Sequence, residues 1–121
     1  MRFLLYPFSL MYGIVIDIRN FLFDINIFKS KSYNIPIICV GNITAGGTGK
    51  TPHTEYILSL LSDKKTAVLI RGYGRKTSGL LLVETNSESE KVGDESLQIK
   101  QNFPNTIVVV SGNRRIGIEK I

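Results

Sequence analysis

The stretch Ile35-Pro36-Ile37-Ile38-Cys39-Val40-Gly41-Asn42-Ile43-Thr44-Ala45-Gly46-Gly47-Thr48-Gly49-Lys50-Thr51-Pro52 decides the fold. Ile35–Val40 is a short apolar run that reads as a strand, with Pro36 near its start, where a missing N–H is tolerated. A glycine-rich loop follows over 41–49. From Lys50 to about Ser62, Ile57, Leu58, Leu60 and Leu61 form the apolar face of a helix. Inside this unit, Thr44-Ala45-Gly46-Gly47-Thr48-Gly49-Lys50-Thr51 matches the phosphate-loop pattern G-x-x-x-x-G-K-S/T except at Thr44, which stands where the first glycine usually does. The chemistry survives that change. Gly46, Gly47 and Gly49 let backbone N–H groups turn inward onto phosphate oxygens. Lys50 can reach the β- and γ-phosphates, and the Thr51 hydroxyl can ligate magnesium. The helix N-terminus adds partial positive charge. A glycine-rich hairpin that happens to precede Lys-Thr would lack this strand–loop–helix setting. The motif specifies a nucleotide, not a reaction.

Downstream, short β-branched runs alternate with helical stretches. Asp63-Lys64-Lys65 is a turn, Thr66–Ile70 a buried strand, and Arg71–Lys76 a basic, glycine-containing loop. Leu80–Val83 reads as a strand, Asn86–Lys91 as a polar loop, Gly93–Asn102 as a helix and Thr106–Val110 as a strand. Arg114 opens a last helix. This alternation predicts an α/β domain over 35–121, P-loop NTPase-like, with a mostly parallel sheet flanked by helices. The final helical pattern ends at Glu119-Lys120-Ile121 without a capping glycine or a polar tail, so the domain is expected to be incomplete.

Upstream, residues 1–28 are rich in Phe, Leu and Ile, and Lys29-Ser30-Lys31-Ser32-Tyr33-Asn34 is a polar break. No small-residue cleavage site follows the apolar run, which excludes a secretory signal. The uncharged run Phe3–Ile16 is short for a membrane span. On a helical wheel Ser9, Gly13, Asp17, Asn20 and Asp24 share one thin stripe, and Leu10, Met11, Ile14, Val15, Ile18, Phe21, Leu22 and Ile25 fill most of the rest. Arg19 lies off the stripe and can snorkel. Such a helix either lies in a membrane surface or is buried against protein.

Composition bounds the partners. The 121 residues are 43% hydrophobic and carry a net charge of +5. A folded domain follows, and an anionic partner is one reading of the charge. The basic residues are scattered and no aromatic-basic module is present, which argues against nucleic acid. The single cysteine, Cys39, cannot form an internal disulfide and reads as a core residue. His53 has no Cys or His neighbours of metal-site spacing.

The remaining chemistry clusters after strands. Asp94 and Glu95 follow Gly93 at a helix start, where carboxylates suit the helix dipole. One can accept a proton from a hydroxyl and the other can join a metal shell, or Asp94 is simply a helix cap. Arg71, Arg75 and Lys76 follow one strand, and Arg114 and Arg115 another. The crevice of an open α/β sheet lies at such ends, so these residues can clamp phosphates or face solvent. No aspartate ends either strand, since Arg71 and Ser111 stand there. The second magnesium-holding acid of phosphate-loop enzymes is therefore not visible.

The chain resembles the tetraacyldisaccharide 4′-kinase family, the lipid A 4′-kinases of Gram-negative bacteria. The resemblance rests on Leu5-Tyr6-Pro7, Ile18-Arg19-Asn20, the string Pro36–Pro52, Arg71-Gly72-Tyr73-Gly74-Arg75, Val92-Gly93-Asp94-Glu95 and the Arg114 segment. Thr44 is ordinary for that family. The resemblance implies ATP-dependent, magnesium-assisted phosphorylation of the 4′-hydroxyl of tetraacyldisaccharide 1-phosphate at the cytoplasmic face of the inner membrane. It implies that Asp94 acts as the base, that Glu95 lies near metal and nucleotide, and that Arg114 meets the phosphates. Arg71 and Arg75 would line the same cleft. Residues 1–28 would be a membrane-associated helix meeting acyl chains. Asn113 stands where an aspartate is expected. Family members are longer, and their later segments supply a further acidic motif and a histidine, so this chain reads as the N-terminal part and is expected to turn over poorly alone. A non-catalytic nucleotide-binding remnant and a membrane-associated P-loop switch remain alternatives. The switch would want a base-specifying N-K-x-D motif, which is absent.

Overall fold

A computed structural model describes residues 5–42 and 49–121. The chain divides into two compact units, Met1–Ile38 and Cys39–Ile121.

The first unit is dominated by helix α1, Tyr6–Asp24, with Pro7 in its first turn and no buried residue. Proline is tolerated there because the first N–H groups of a helix lack intrahelical partners anyway. Asn26 ends the helix at φ 58°, its N–H donating to Phe23 O at 3.0 Å. That is the left-handed turn which asparagine adopts more readily than most residues. The Arg19 guanidinium sits 5.4 Å from the Phe23 ring centroid. Among the described residues, no helix is long and apolar enough to cross a membrane.

The second unit contains α2 (Lys50–Leu60), β1 (Ala67–Ile70), β2 (Leu80–Val83), α3 (Ser89–Val92), α4 (Asp94–Asn102), β3 (Ile107–Ser111) and α5 (Arg114–Lys120). The sheet order is β1-β3-β2. β3 is central, and Val108, Val109 and Val110 are all buried. A strand covered on both faces loses polar alternation, which is why its sequence is a continuous valine run. β1 pairs with β3 in parallel, Val68 opposite Val108 and Ile70 opposite Val110. β2 pairs with β3 antiparallel, Val83 opposite Val108 and Leu81 opposite Val110.

The sheet is therefore mixed, not mostly parallel. The reason is loop length. A parallel return needs a crossover of a dozen or more residues, usually with a helix. The segment 71–79 contains no helix and simply reverses the chain. The longer path from β2 through α3 and α4 does bring β3 back parallel to β1.

One face of the sheet packs Leu58, Val83, Val92, Ile99, Val108 and Val110 into the core. On the other face α5 comes close to β1 through Gly117, where a Cβ would lie 2.5 Å from Leu69 Cδ1. α3 arises in the segment read as a polar loop, with an i,i+3 ion pair of 2.9 Å between Glu88 and Lys91.

Ile35–Val40 is not a strand. It carries no regular structure, and Ile35, Ile37 and Ile38 are exposed. Cys39 is exposed as well, not a core residue. A strand is defined by its ladder, and an apolar run without a hydrogen-bonding neighbour has none. In α2 only Leu58 is buried, and Leu60 faces solvent.

Candidate nucleotide and acceptor site

The site is assembled at one end of the sheet. In the parallel pair, Ile70 and Val110 lie side by side, so the chain leaves β1 into Arg71 and β3, after Ser111, into Gly112 at the same end. β2 starts there too, since Leu80 pairs with Ser111. The loop 71–79 and the start of α5 are therefore neighbours at the carboxyl ends of β1 and β3, the usual ligand crevice of open α/β sheets.

Gly72 presses the loop onto the sheet. It has φ +71°, and a Cβ there would lie less than 3.0 Å from Val110 Cγ1 and 2.8 Å from Arg75 Cδ. Further contacts tie the loop to α3. Lys76 N–H donates to Glu90 O at 2.8 Å, Lys76 Nζ meets Glu90 Oε2 at 2.6 Å, and the Thr77 hydroxyl donates to Lys91 O. Gly93, φ +91°, lies against the Gly72–Tyr73 backbone and is the N-cap of α4. Asp94 is thus the first residue of α4, not its cap. Its carboxylate makes no hydrogen bond among the described residues and lines a recess of about 210 Å³ with Tyr73, Gly74, Lys76 and Glu90. Below it Ser96, 1% exposed, donates to Gly93 O at 2.9 Å and so holds the turn.

The phosphate-loop residues Thr44, Ala45, Gly46, Gly47 and Thr48 lie outside the described residues. Gly49, Lys50 and Thr51 do not. Gly49 caps α2 at φ 75°. Its carbonyl accepts from His53 Nδ1–H at 2.7 Å, so the sole histidine braces this turn. Lys50 Nζ donates to Asn42 Oδ1 at 3.1 Å. Thr51 Oγ1 donates to Glu95 Oε1 at 2.6 Å. That bond joins the N-termini of α2 and α4, bringing together two of the predicted site residues that are 44 positions apart.

The arginines divide. Arg71 and Arg114 are exposed. Arg75 is half-buried and turned inward, its Nη2 donating to Gly79 O at 2.5 Å, while its Nη1 is buried without a hydrogen-bond partner among the described residues. Asn113 caps α5 through Oδ1, which accepts from Arg115 N at 3.0 Å and Ile116 N at 3.4 Å. This gives the asparagine a local role that an aspartate would also fill. Sequence reasoning did not single out Asn42 as the partner of Lys50. Its signal was its place in the glycine-rich loop, within the Pro36–Pro52 string that carries the family resemblance.

Comparison with known proteins adds to this geometry. A family model described as tetraacyldisaccharide-1-P 4'-kinase, LpxK, matches residues 1–121. The tetraacyldisaccharide 4'-kinase of Parabacteroides distasonis is 54% identical over 119 residues, covering 98% of this chain and 32% of that protein. The Flavobacterium johnsoniae kinase is 49% identical over 122 residues, covering 100% of this chain and 36% of that protein. The chain thus spans about a third of the length of the curated relatives it matches. The crystal structure of LpxK from Aquifex aeolicus in complex with ATP superposes with a TM-score of 0.77 at 38% identity, covering 97% of this chain and 40% of that one.

Proposed function

Because this chain belongs to the tetraacyldisaccharide-1-P 4'-kinase family, we propose that it forms the N-terminal, nucleotide-binding portion of an enzyme that moves the γ-phosphate of ATP to the 4′-hydroxyl of a tetraacyldisaccharide 1-phosphate. The observation that carries the reading is the 2.6 Å bond from Thr51 to Glu95, which sets the phosphate-binding helix beside the helix that bears Asp94.

Roles follow from position. The Thr44–Thr51 sequence motif is assigned to phosphate binding, and Lys50 leaves Asn42 to neutralise the β- and γ-oxygens. Asp94 accepts the acceptor hydroxyl's proton as the new O–P bond forms and the bond to the ADP oxygen breaks. Arg71 and Arg114 offset phosphate charge, and Arg75, committed to Gly79 O, serves by fixing the loop that carries Arg71.

Thr51 and Glu95 fit magnesium. They present two hard oxygen donors, and no group of three His, Cys, Asp or Glu exists among the described residues. Magnesium commonly takes one or two protein ligands and completes its shell with phosphate and water. Held by Thr51 and Glu95, it would supply positive charge that offsets the charge on the phosphates.

α1 lies in the surface of the inner membrane, on its cytoplasmic face. Supporting this, Leu10, Met11, Ile14, Val15, Ile18 and Phe21 are all exposed.

Two measurements test the reading. Titration of the chain with ATP should show saturable binding that Lys50→Ala weakens at least tenfold, since a lost charge-assisted contact is worth about 1.5–3 kcal/mol. Unchanged binding in that variant refutes the phosphate-loop role. Transfer of label from γ-labelled ATP to tetraacyldisaccharide 1-phosphate should be poor for these 121 residues alone, and what transfer there is should vanish in Asp94→Asn while ATP binding persists. Robust transfer by the 121 residues alone would refute the reading of the chain as a portion of a longer kinase.

A further inference from the structure

A polar seam runs between α2 and α4. Thr51 and Glu55 are four residues apart on α2, and Glu95, Gln98 and Asn102 are three and four apart on α4. Each set therefore lies along one helix face. Thr51 meets Glu95 at one end. At the other, Glu55 Oε1 accepts from Gln98 Nε2 at 3.0 Å and from Asn102 Nδ2 at 2.9 Å. Apolar contact between the helices is confined: α2 buries only Leu58, which shares the core cluster with Ile99 of α4. Burial is also non-directional, so one side chain leaves sliding and rotation loosely specified. Two charge-assisted hydrogen bonds to one carboxylate are directional and supply what the core does not.

We propose that Glu55 is a positioning residue. By clamping Gln98 and Asn102 it sets the axial register of α4 against α2, and so keeps the Glu95 carboxylate in reach of the Thr51 hydroxyl. Glu55 is engaged by Gln98 and Asn102 and is not among the residues assigned above to nucleotide or metal. It lies one helical turn, about 6 Å of axial rise, beyond Thr51. The inference rests on the magnesium and ATP reading above and adds a residue which that reading does not use.

The test measures ATP affinity of the whole chain with magnesium and with EDTA. The Glu55 clamp aligns the two metal-side oxygens, so Glu55→Ala should reduce the magnesium-dependent gain in ATP affinity about tenfold. Affinity in EDTA should change less than about twofold, because the loop and Lys50 remain. Glu55→Gln keeps a carbonyl oxygen that accepts both donors and should retain most of the gain. Gln98→Ala and Asn102→Ala each remove one donor from an exposed site and should each lose part of it, and they read the same ratio if Glu55→Ala does not fold. Equal loss in magnesium and EDTA, or no loss despite a lowered melting temperature, overturns the positioning role. A wild-type chain that binds ATP equally with and without magnesium removes the metal reading, and this inference with it. A chain that binds no ATP at all removes the nucleotide reading itself.

Discussion

Replacing Gly72 by alanine tests how the basic loop is seated. The substitution has two separable costs. At φ +71° an alanine enters the left-handed region, which costs roughly 1 kcal/mol. Its Cβ would also fall less than 3.0 Å from Val110 Cγ1, and Val110 is fully buried in the central strand. Forcing a methyl into such packing costs about 1–3 kcal/mol. Gly74 supplies the control, because it has φ +80° and nothing within 4 Å of its Cβ position. Gly74→Ala should therefore cost about 1 kcal/mol, and Gly72→Ala about 2–4 kcal/mol. In thermal unfolding followed by circular dichroism, each kcal/mol moves the midpoint of a domain this size by about 4–8 °C. Gly72→Ala should thus melt at least about 4 °C below Gly74→Ala. Trimming the obstacle gives an internal check. Val110→Ala alone destabilises by opening a cavity, but combined with Gly72→Ala the losses should be less than additive by about 1 kcal/mol. Equal melting of the two glycine variants, together with strict additivity in the double variant, would show that Gly72 does not rest on Val110.

Three further outcomes are expected. Asn113→Ala should cost about 1 kcal/mol in urea unfolding through the lost α5 cap, whereas Asn113→Asp should be neutral or stabilising by a few tenths of a kcal/mol; equal losses would discount the cap. Gly117→Val places extra carbons where Leu69 Cδ1 and Cδ2 already lie within 2.8 Å of the Cβ position, and should destabilise by about 2 kcal/mol or more in the same assay. Ile14→Asp with Ile18→Asp should weaken sedimentation of the chain with phospholipid vesicles at least tenfold, since each removes an exposed apolar side chain whose burial in the membrane surface would be worth about 1.5–3 kcal/mol; undiminished sedimentation would remove α1 as the membrane contact.

What was legible in the sequence was local. The valine run of β3, the Leu80–Val83 strand, the α4 helix after Gly93 and the α5 start after Asn113 each carry their own signal of burial, propensity or capping. The glycine-rich string before Lys50-Thr51 carries its own chemistry, because backbone freedom and a helix start are properties of adjacent residues. Those features were sufficient to assign an α/β domain and the family, and they are what the proposal of nucleotide phosphates rests on. What only the tertiary structure decided was pairing. The strand β2 returns antiparallel because its loop holds no crossover helix, and Ile35–Val40 is not a strand because a strand needs a neighbour that its own residues cannot supply. Arg75 turns inward to Gly79, and Thr51 finds Glu95 while Glu55 finds Gln98 and Asn102 across more than forty positions. The sequence places each of these groups on a helix face or in a loop. Which face meets which is set by the packing of α2 and α4 over the sheet, a long-range arrangement that no local periodicity encodes.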